Sequence, residues 1–321
     1  MKTINNILAI ASIALSLTAC SSDNESTSNN EGKEYPISLS VGIGDLSVVT
    51  RAESTTIGST TPTPLTSGDL GLYIIKNGDK SVTDKYLCDN SKFTGSTAEN
   101  VTTWSGQTYY WASDDATIDY IAYMPYKDDG LEKNSISATA YEYKIDWNVS
   151  TETNPDLLWQ TASATNSAND HSIAITLAHA CSKLTVNVSK LGSEIVSTGE
   201  NPVTVSKIEI NGMAATGTFN FTTAGEWSDP GVATSYAMKS ASTTAGNKAT
   251  YEAILIPQTA AATLMITLSN NATYQLSIPN QEYKMGTHYT ITIQVGQDQV
   301  TLDGITQTNW ETVTGGNLTA Q

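Results

Sequence analysis

Three observations predict an all-β fold for this chain. From Tyr35 onward apolar residues recur with a period of two, the repeat of a strand with one covered face. No apolar pattern of helical period runs beyond about two turns. Only 15% of the residues are charged, against ~25% in average globular chains, and Ser, Thr and Asn fill the polar positions, as suits strands with hydroxyl-bearing outer faces. With 321 residues the chain exceeds the ~100 to 200 residues of one domain, so two β-sandwich domains in tandem are expected. Their seam is expected near residues 189–201, which gives units 35–188 and 189–321.

The elements follow in order. Lys2 precedes an apolar run over residues 7–17, shorter than the ~20 residues a membrane-crossing helix needs. Leu17-Thr18-Ala19-Cys20 then sets small residues before a cysteine. Residues 1–19 therefore read as a signal peptide, and the boundary resembles a lipobox, in which Cys20 is acylated and becomes the first residue of a lipoprotein. Residues 20–34 are a polar, partly acidic tether with nothing apolar to bury.

The first strand alternates Ile37, Leu39, Val41 and Ile43 with Ser38, Ser40, Gly42 and Gly44, one apolar face and one bare one. After Thr50-Arg51-Ala52, residues 53–67 read as an exposed Ser/Thr/Pro-rich linker. Further strands are expected at 70–75, 109–111, 118–124, 141–149, 173–177 and 184–188. A second series is expected at 203–210, 218–221, 251–256, 264–268, 274–278, 289–295 and 300–305. Connections rich in Asp, Asn, Ser and Gly, with no intervening helices, favour stacked antiparallel sheets over a parallel α/β sheet.

The charge narrows the function. Sixteen basic against 32 acidic side chains leave −16, which repels nucleic acid. No CxxC pair suggests zinc. The three histidines, His171, His179 and His288, lack HxH or HExxH spacing, although Asp156 or Cys181 could approach His179. Asp114, Asp115, Asp119, Asp128 and Asp129 flank an aromatic strand, but only Asp128-Asp129-Gly130 approaches a calcium-loop cadence, so solvated loops are expected. Tyr109, Tyr110, Trp111, Tyr120, Tyr123 and Tyr126 are expected to pack between sheets, with sugar stacking as the other reading. Cys88 and Cys181 are free to pair or not. No enzyme, cofactor or metal is expected.

Arg51 is the single arginine. An Arg-specific or trypsin-like protease acting between Arg51 and Ala52 would release the anchored end together with the first strand (residues 37–49). Removing a strand with one apolar face leaves unpaired backbone and an open groove. Its four aliphatic side chains are worth roughly 1.5 to 3 kcal/mol each when buried, so a replacement strand would be held firmly.

An ordered set of segments then resembles the fimbrillin family, the type V pilus subunits of the Bacteroidales. The set is the lipobox at Cys20, Val49-Thr50-Arg51-Ala52, Gly68-Asp69-Leu70-Gly71-Leu72-Tyr73, and Tyr110-Trp111 leading to Tyr120-Ile121-Ala122-Tyr123-Met124-Pro125-Tyr126. It continues through Asp156-Leu157-Leu158-Trp159, Leu177-Ala178-His179-Ala180-Cys181-Ser182-Lys183-Leu184, Gly286-Thr287-His288-Tyr289-Thr290-Ile291 and Trp310. Ala180-Cys181 departs from the usual pattern. The early acidic residues of the tether resemble the signal that sends Bacteroidetes lipoproteins to the cell surface.

The resemblance implies two transthyretin-like β-sandwich domains, export as an outer-membrane lipoprotein, cleavage at Arg51 and polymerisation by donor-strand exchange. The donor would be residues 300–321, with Val300, Leu302, Ile305, Trp310, Val313 and Leu318 filling the groove of the next subunit. Partners would be other copies of the chain, other fimbrial subunits and the protease, with the adhesion target on a host or bacterial surface left open. A stalk subunit is expected; a tip subunit and a monomeric surface glycan-binding lipoprotein are the alternatives.

Overall fold

The computed structural model describes residues 35–310 apart from 45, 49–54, 58–61, 77–85, 100, 114–115, 136–140, 168, 194, 196–201, 223 and 244. No helix occurs among the described residues. The chain opens with β1 (Tyr35–Pro36), β2 (Ser38–Ile43), β3 (Leu46–Val48), β4 (Thr55–Ile57) and β5 (Thr63–Pro64). The span expected to be a plain linker, 53–67, thus carries two short strands. Next come β6 (Gly68–Lys76), β7 (Tyr86–Ala98), β8 (Val101–Ser105), β9 (Tyr110–Trp111) and β10 (Thr117–Met124). β6 and β10 read as nearly unbroken apolar runs because both faces are covered. Leu70, Leu72, Ile74, Tyr120 and Ala122 enter one core, and Tyr73, Ile75, Ile121 and Tyr123 enter another.

The middle holds β11 (Glu132–Ser135), β12 (Tyr141–Asn148), β13 (Leu158–Thr165) and β14 (Ser172–His179). In β12 the expected alternation appears: Tyr143, Ile145 and Trp147 are buried while Asp146 is exposed. The rest is β15 (Ser182–Leu191), β16 (Val205–Ala214), β17 (Thr216–Asn220), β18 (Glu226–Ser228), β19 (Ala233–Ala237) and β20 (Lys239–Ala241). It closes with β21 (Ala249–Leu255), β22 (Gln258–Leu268), β23 (Thr273–Tyr283), β24 (Thr287–Val295) and β25 (Val300–Asn309).

An eight-stranded sheet runs β5-β2-β14-β13-β10-β6-β7-β8 and curls until β8 comes back against β2. It encloses a core of Val41, Ile43, Leu72, Trp111, Ile175, Leu177 and their neighbours. The second core continues from the other face of β6 and β10 into the C-terminal sheets, β20-β21-β15-β24-β25 and β19-β16-β22-β23.

Two pairings cross the expected seam. β12 pairs with β17, Trp147 opposite Gly217, so the sheet β11-β12-β17-β18 draws strands from both halves of the chain. β15 pairs with β21 and β24, so a division at 188/189 cuts through a strand whose neighbours all lie downstream. Alternation marks which face of a strand is covered, but the partner that covers it is chosen by tertiary packing.

Candidate functional site

The first strand, β2, has one full-length neighbour. It lies parallel to β14, with Ser38 opposite Ser172, Val41 opposite Ile175 and Ile43 opposite Leu177. Across its other edge, among the described residues, β5 pairs with Gly42 and Ile43. Gly42 is required there, since a Cβ would stand 2.9 Å from the Pro62 Cβ and 3.0 Å from the Thr63 carbonyl oxygen. Main-chain bonds fasten both ends: Ile37 N–H donates to the Tyr109 oxygen (2.8 Å), Gly44 N–H to that of Leu177 (2.9 Å), and Leu65 N–H to that of Val41 (3.0 Å). Val41 and Ile43 are 4% and 2% exposed, while Ile37 and Leu39 are half-buried against the same core. The four aliphatic residues expected to share one face do so.

Downstream of β2 the chain forms a small hairpin, with Leu46 opposite Ile57 and Val48 opposite Thr55. Arg51 and Ala52 fall between its two strands and, like Cys20, lie outside the described residues.

At the other end of the chain, β25 is the edge strand of its sheet, antiparallel to β24 with Ile305 opposite Ile291 and Leu302 opposite Ile293. Val300, Leu302 and Ile305 are half-buried against their own subunit's core, and the residues between them are exposed. The exposed Asp303 accepts from the Gln294 side-chain amide (2.9 Å) and the Ser189 hydroxyl (3.2 Å). Val313 and Leu318 lie outside the described residues.

Trp310 ends the described chain. Its N–H donates to the Gly286 oxygen (2.9 Å), and Gly286 N–H in turn donates to the Cys181 oxygen (2.9 Å). The indole lies flat on the His179 imidazole, centroids 3.9 Å apart and planes 6° apart. His179 closes β14; its Nδ1 meets the Asp156 carboxylate at 2.8 Å, the approach the sequence left open. His179 Nε2 and Asp156 Oδ1 are buried without a hydrogen-bond partner among the described residues. The joint from β14 to β15 is fastened again by Trp227, whose indole N–H donates to the Ala180 oxygen (2.6 Å).

The remaining candidates settle into structural roles. Trp111, Tyr120 and Tyr123 are buried, with Tyr110 the exposed exception at 42%. Trp111 Nε1–H donates to the His171 oxygen (2.9 Å), and Tyr123 O–H to Asn90 (2.7 Å). Asp128-Asp129-Gly130 forms a tight turn, with Gly130 N–H on the Lys127 oxygen. No group of His, Cys, Asp or Glu among the described residues is arranged to hold a metal; Asp114 and Asp115 lie outside them.

Cys88 and Cys181 are free and belong to different cores, which separates them as a pair. The Cys88 thiol points at the Leu72 oxygen (3.0 Å). Burial pushes both thiols above the usual range, Cys181 with help from the Asp156 charge. The stack of Trp310 on His179 was not foreseen: the two residues are more than a hundred positions apart, and only their shared aromatic character hints at it.

The model of a family described as fimbrillin-like matches residues 50–310. Among curated proteins nothing matches. Solved structures do. A candidate cell adhesion protein from Bacteroides uniformis is 18% identical, covering 86% of this chain and 98% of its own, at a TM-score of 0.61. A second, from Bacteroides ovatus, is 17% identical, covering 88% and 99% at 0.60. A fimbrial protein from Bacteroides vulgatus is 16% identical, covering 87% and 100% at 0.50. At these identities the likeness is one of fold.

Proposed function

The chain belongs to the fimbrillin-like family, and from that membership we propose that it is a stalk subunit of a cell-surface fimbrium that assembles by donor-strand exchange. The family ties it to fimbriae. The observation that carries it is the seat of β2. This strand lies upstream of the single arginine and buries an aliphatic row in the N-terminal core, yet only one neighbour pairs along its whole length. A cut after Arg51 leaves it held by non-covalent contacts alone: its pairing with β14 and β5, its end contacts, and the short β1–β9 and β3–β4 pairings on either side of it. The vacated groove then presents the edge of β14 and the walls around Ile175 and Leu177, which accept an extended apolar strand by backbone pairing and side-chain pockets.

β25 supplies such a strand. Its apolar residues are half-buried and at a sheet edge, so leaving home uncovers less than leaving a core would. A donor at one end and an acceptor at the other make a head-to-tail contact that does not close on itself, which yields a filament. Before cleavage, Cys20 would carry the lipid that holds the precursor at the outer membrane. The burial of Trp111, Tyr120 and Tyr123 removes three of the six aromatic side chains on which a glycan-binding reading depends.

The test treats lipid-free protein with an Arg-specific protease, followed by N-terminal sequencing and electrophoresis without boiling. A new terminus at Ala52 and a ladder of multimers are expected, both absent from Arg51→Ala. A chain lacking residues 300–321 should be cut but should not elongate. If that truncated chain still grows a ladder, β25 is not the donor. If the uncut protein multimerises equally, strand loss is not the trigger.

A further inference from the structure

We propose that Trp310 seated on His179 is a latch that holds β25 on its own subunit until assembly. It rests on the strand-exchange reading, in which β25 must leave its own sheet before another subunit can take it. Along most of its length β25 is held by backbone pairing with β24 and by three half-buried side chains. Its one large anchor is at its end. There the indole lies flat on an imidazole that is 3% exposed, and the Trp310 main chain is tied through Gly286 to Cys181. An aromatic pair of this kind adds to backbone pairing in holding an edge strand docked.

The closed latch is also poised to open. His179 Nε2 and Asp156 Oδ1 at the seat are buried and, among the described residues, without partners, a cost that water would relieve if the seat opened. The seat is fixed by the Asp156 bond to Nδ1, which orients the ring and leaves its face for the indole. Moreover, His179 closes the strand whose residues 172–177 hold β2. Loss of β2 strips β14 of one neighbour just upstream of the seat, so the strand that loses its partner on cleavage also carries the catch on the donor.

The experiment uses the full chain carrying Cys20→Ala, so that no lipid is attached, with and without Arg51→Ala. Hydrogen exchange is read on the unassembled Arg51→Ala form. Trp310→Ala is expected to raise exchange across residues 305–309 about tenfold, from the loss of an aromatic pair at a frayed edge, and to leave β10 and β22 protected. Trp310→Phe should restore most of the protection. In the cleavable background Trp310→Ala should multimerise faster than the unsubstituted chain.

Unchanged exchange in Trp310→Ala overturns the latch whether or not the protein polymerises. Faster exchange with no gain in assembly rate, in a protein that does polymerise, overturns its role as a brake. Faster exchange in a protein that never polymerises keeps the latch as a contact and rejects strand donation.

Discussion

Replacing Val41 and Ile43 together by alanine should make the cleaved first strand fall away. These two side chains are the most completely covered in β2, at 4% and 2% exposure. The double change removes five carbon atoms from the core, and at about 0.8 kcal/mol for each buried methyl or methylene that is about 4 kcal/mol, before any cavity term is added. For a β2 peptide no longer joined to the chain, this is about a thousandfold in its dissociation constant. Before cleavage the tether keeps the strand at high effective concentration, so the uncut variant still folds, with a lower urea midpoint. The assay is cleavage by an Arg-specific protease, gel filtration under native conditions, and mass spectrometry of the folded fraction. Sampled soon after the cut, the unsubstituted protein should still carry part of its β2 peptide through the column while the double variant carries none, so the variant opens its groove sooner. Ser38→Ala with Ser40→Ala, on the exposed face of the same strand, should behave as the unsubstituted protein. Equal retention by the two apolar forms, or loss from the serine control, would refute the argument that core burial holds β2.

Other outcomes follow from the same geometry. Gly225 has φ +64°, and a Cβ there would stand 2.3 Å from the Trp159 ring, so Gly225→Ala should cost about 2–4 kcal/mol in urea unfolding through overpacking and backbone strain. The buried Cys88 and Cys181 thiols should resist alkylation in the folded protein and both react in denaturant without prior reduction; a need for reductant would show a disulfide. Burial, then repulsion from Lys183, holds the His288 imidazole below its ordinary value of 6.5, against an opposing pull from Glu252. A depressed histidine favours the neutral form in the fold. Its contribution is therefore complete above 6.5 and is lost as pH falls below that value. His288→Gln should remove that part of the decline in urea midpoint on acidification, and parallel pH profiles for the two proteins would refute the assignment.

Much of the fold could be read from side-chain period alone. The alternation of Ile37, Leu39, Val41 and Ile43 with small residues, and of Tyr143, Ile145 and Trp147 with polar ones, marks covered and bare faces before any partner is known. The long apolar runs at 70–75 and 118–124 mark strands but not the fact that two different cores claim their two faces. The aromatic segment was likewise read as packing, and Trp111, Tyr120 and Tyr123 are buried. Strands such as β7, β8 and β18 are not marked by period because their burial is mixed and polar residues interrupt the alternation; β8 and β18 also lie at sheet edges.

What the chain by itself determined is which residues are apolar, with what period, and where the single arginine stands. Those properties are local, and they set strand existence, the face each strand hides and the one place an Arg-specific protease can act. Tertiary structure alone decided the pairings: β2 against β14 rather than its sequence neighbours, β12 against β17 across the expected seam, and β15 with the strands downstream. It also decided that Asp156, His179 and Trp310 meet. Period-two patterning is the same for every possible partner. The choice among partners is made by loop closure, twist and the fit of side chains between sheets, energies that exist only once the whole chain has packed.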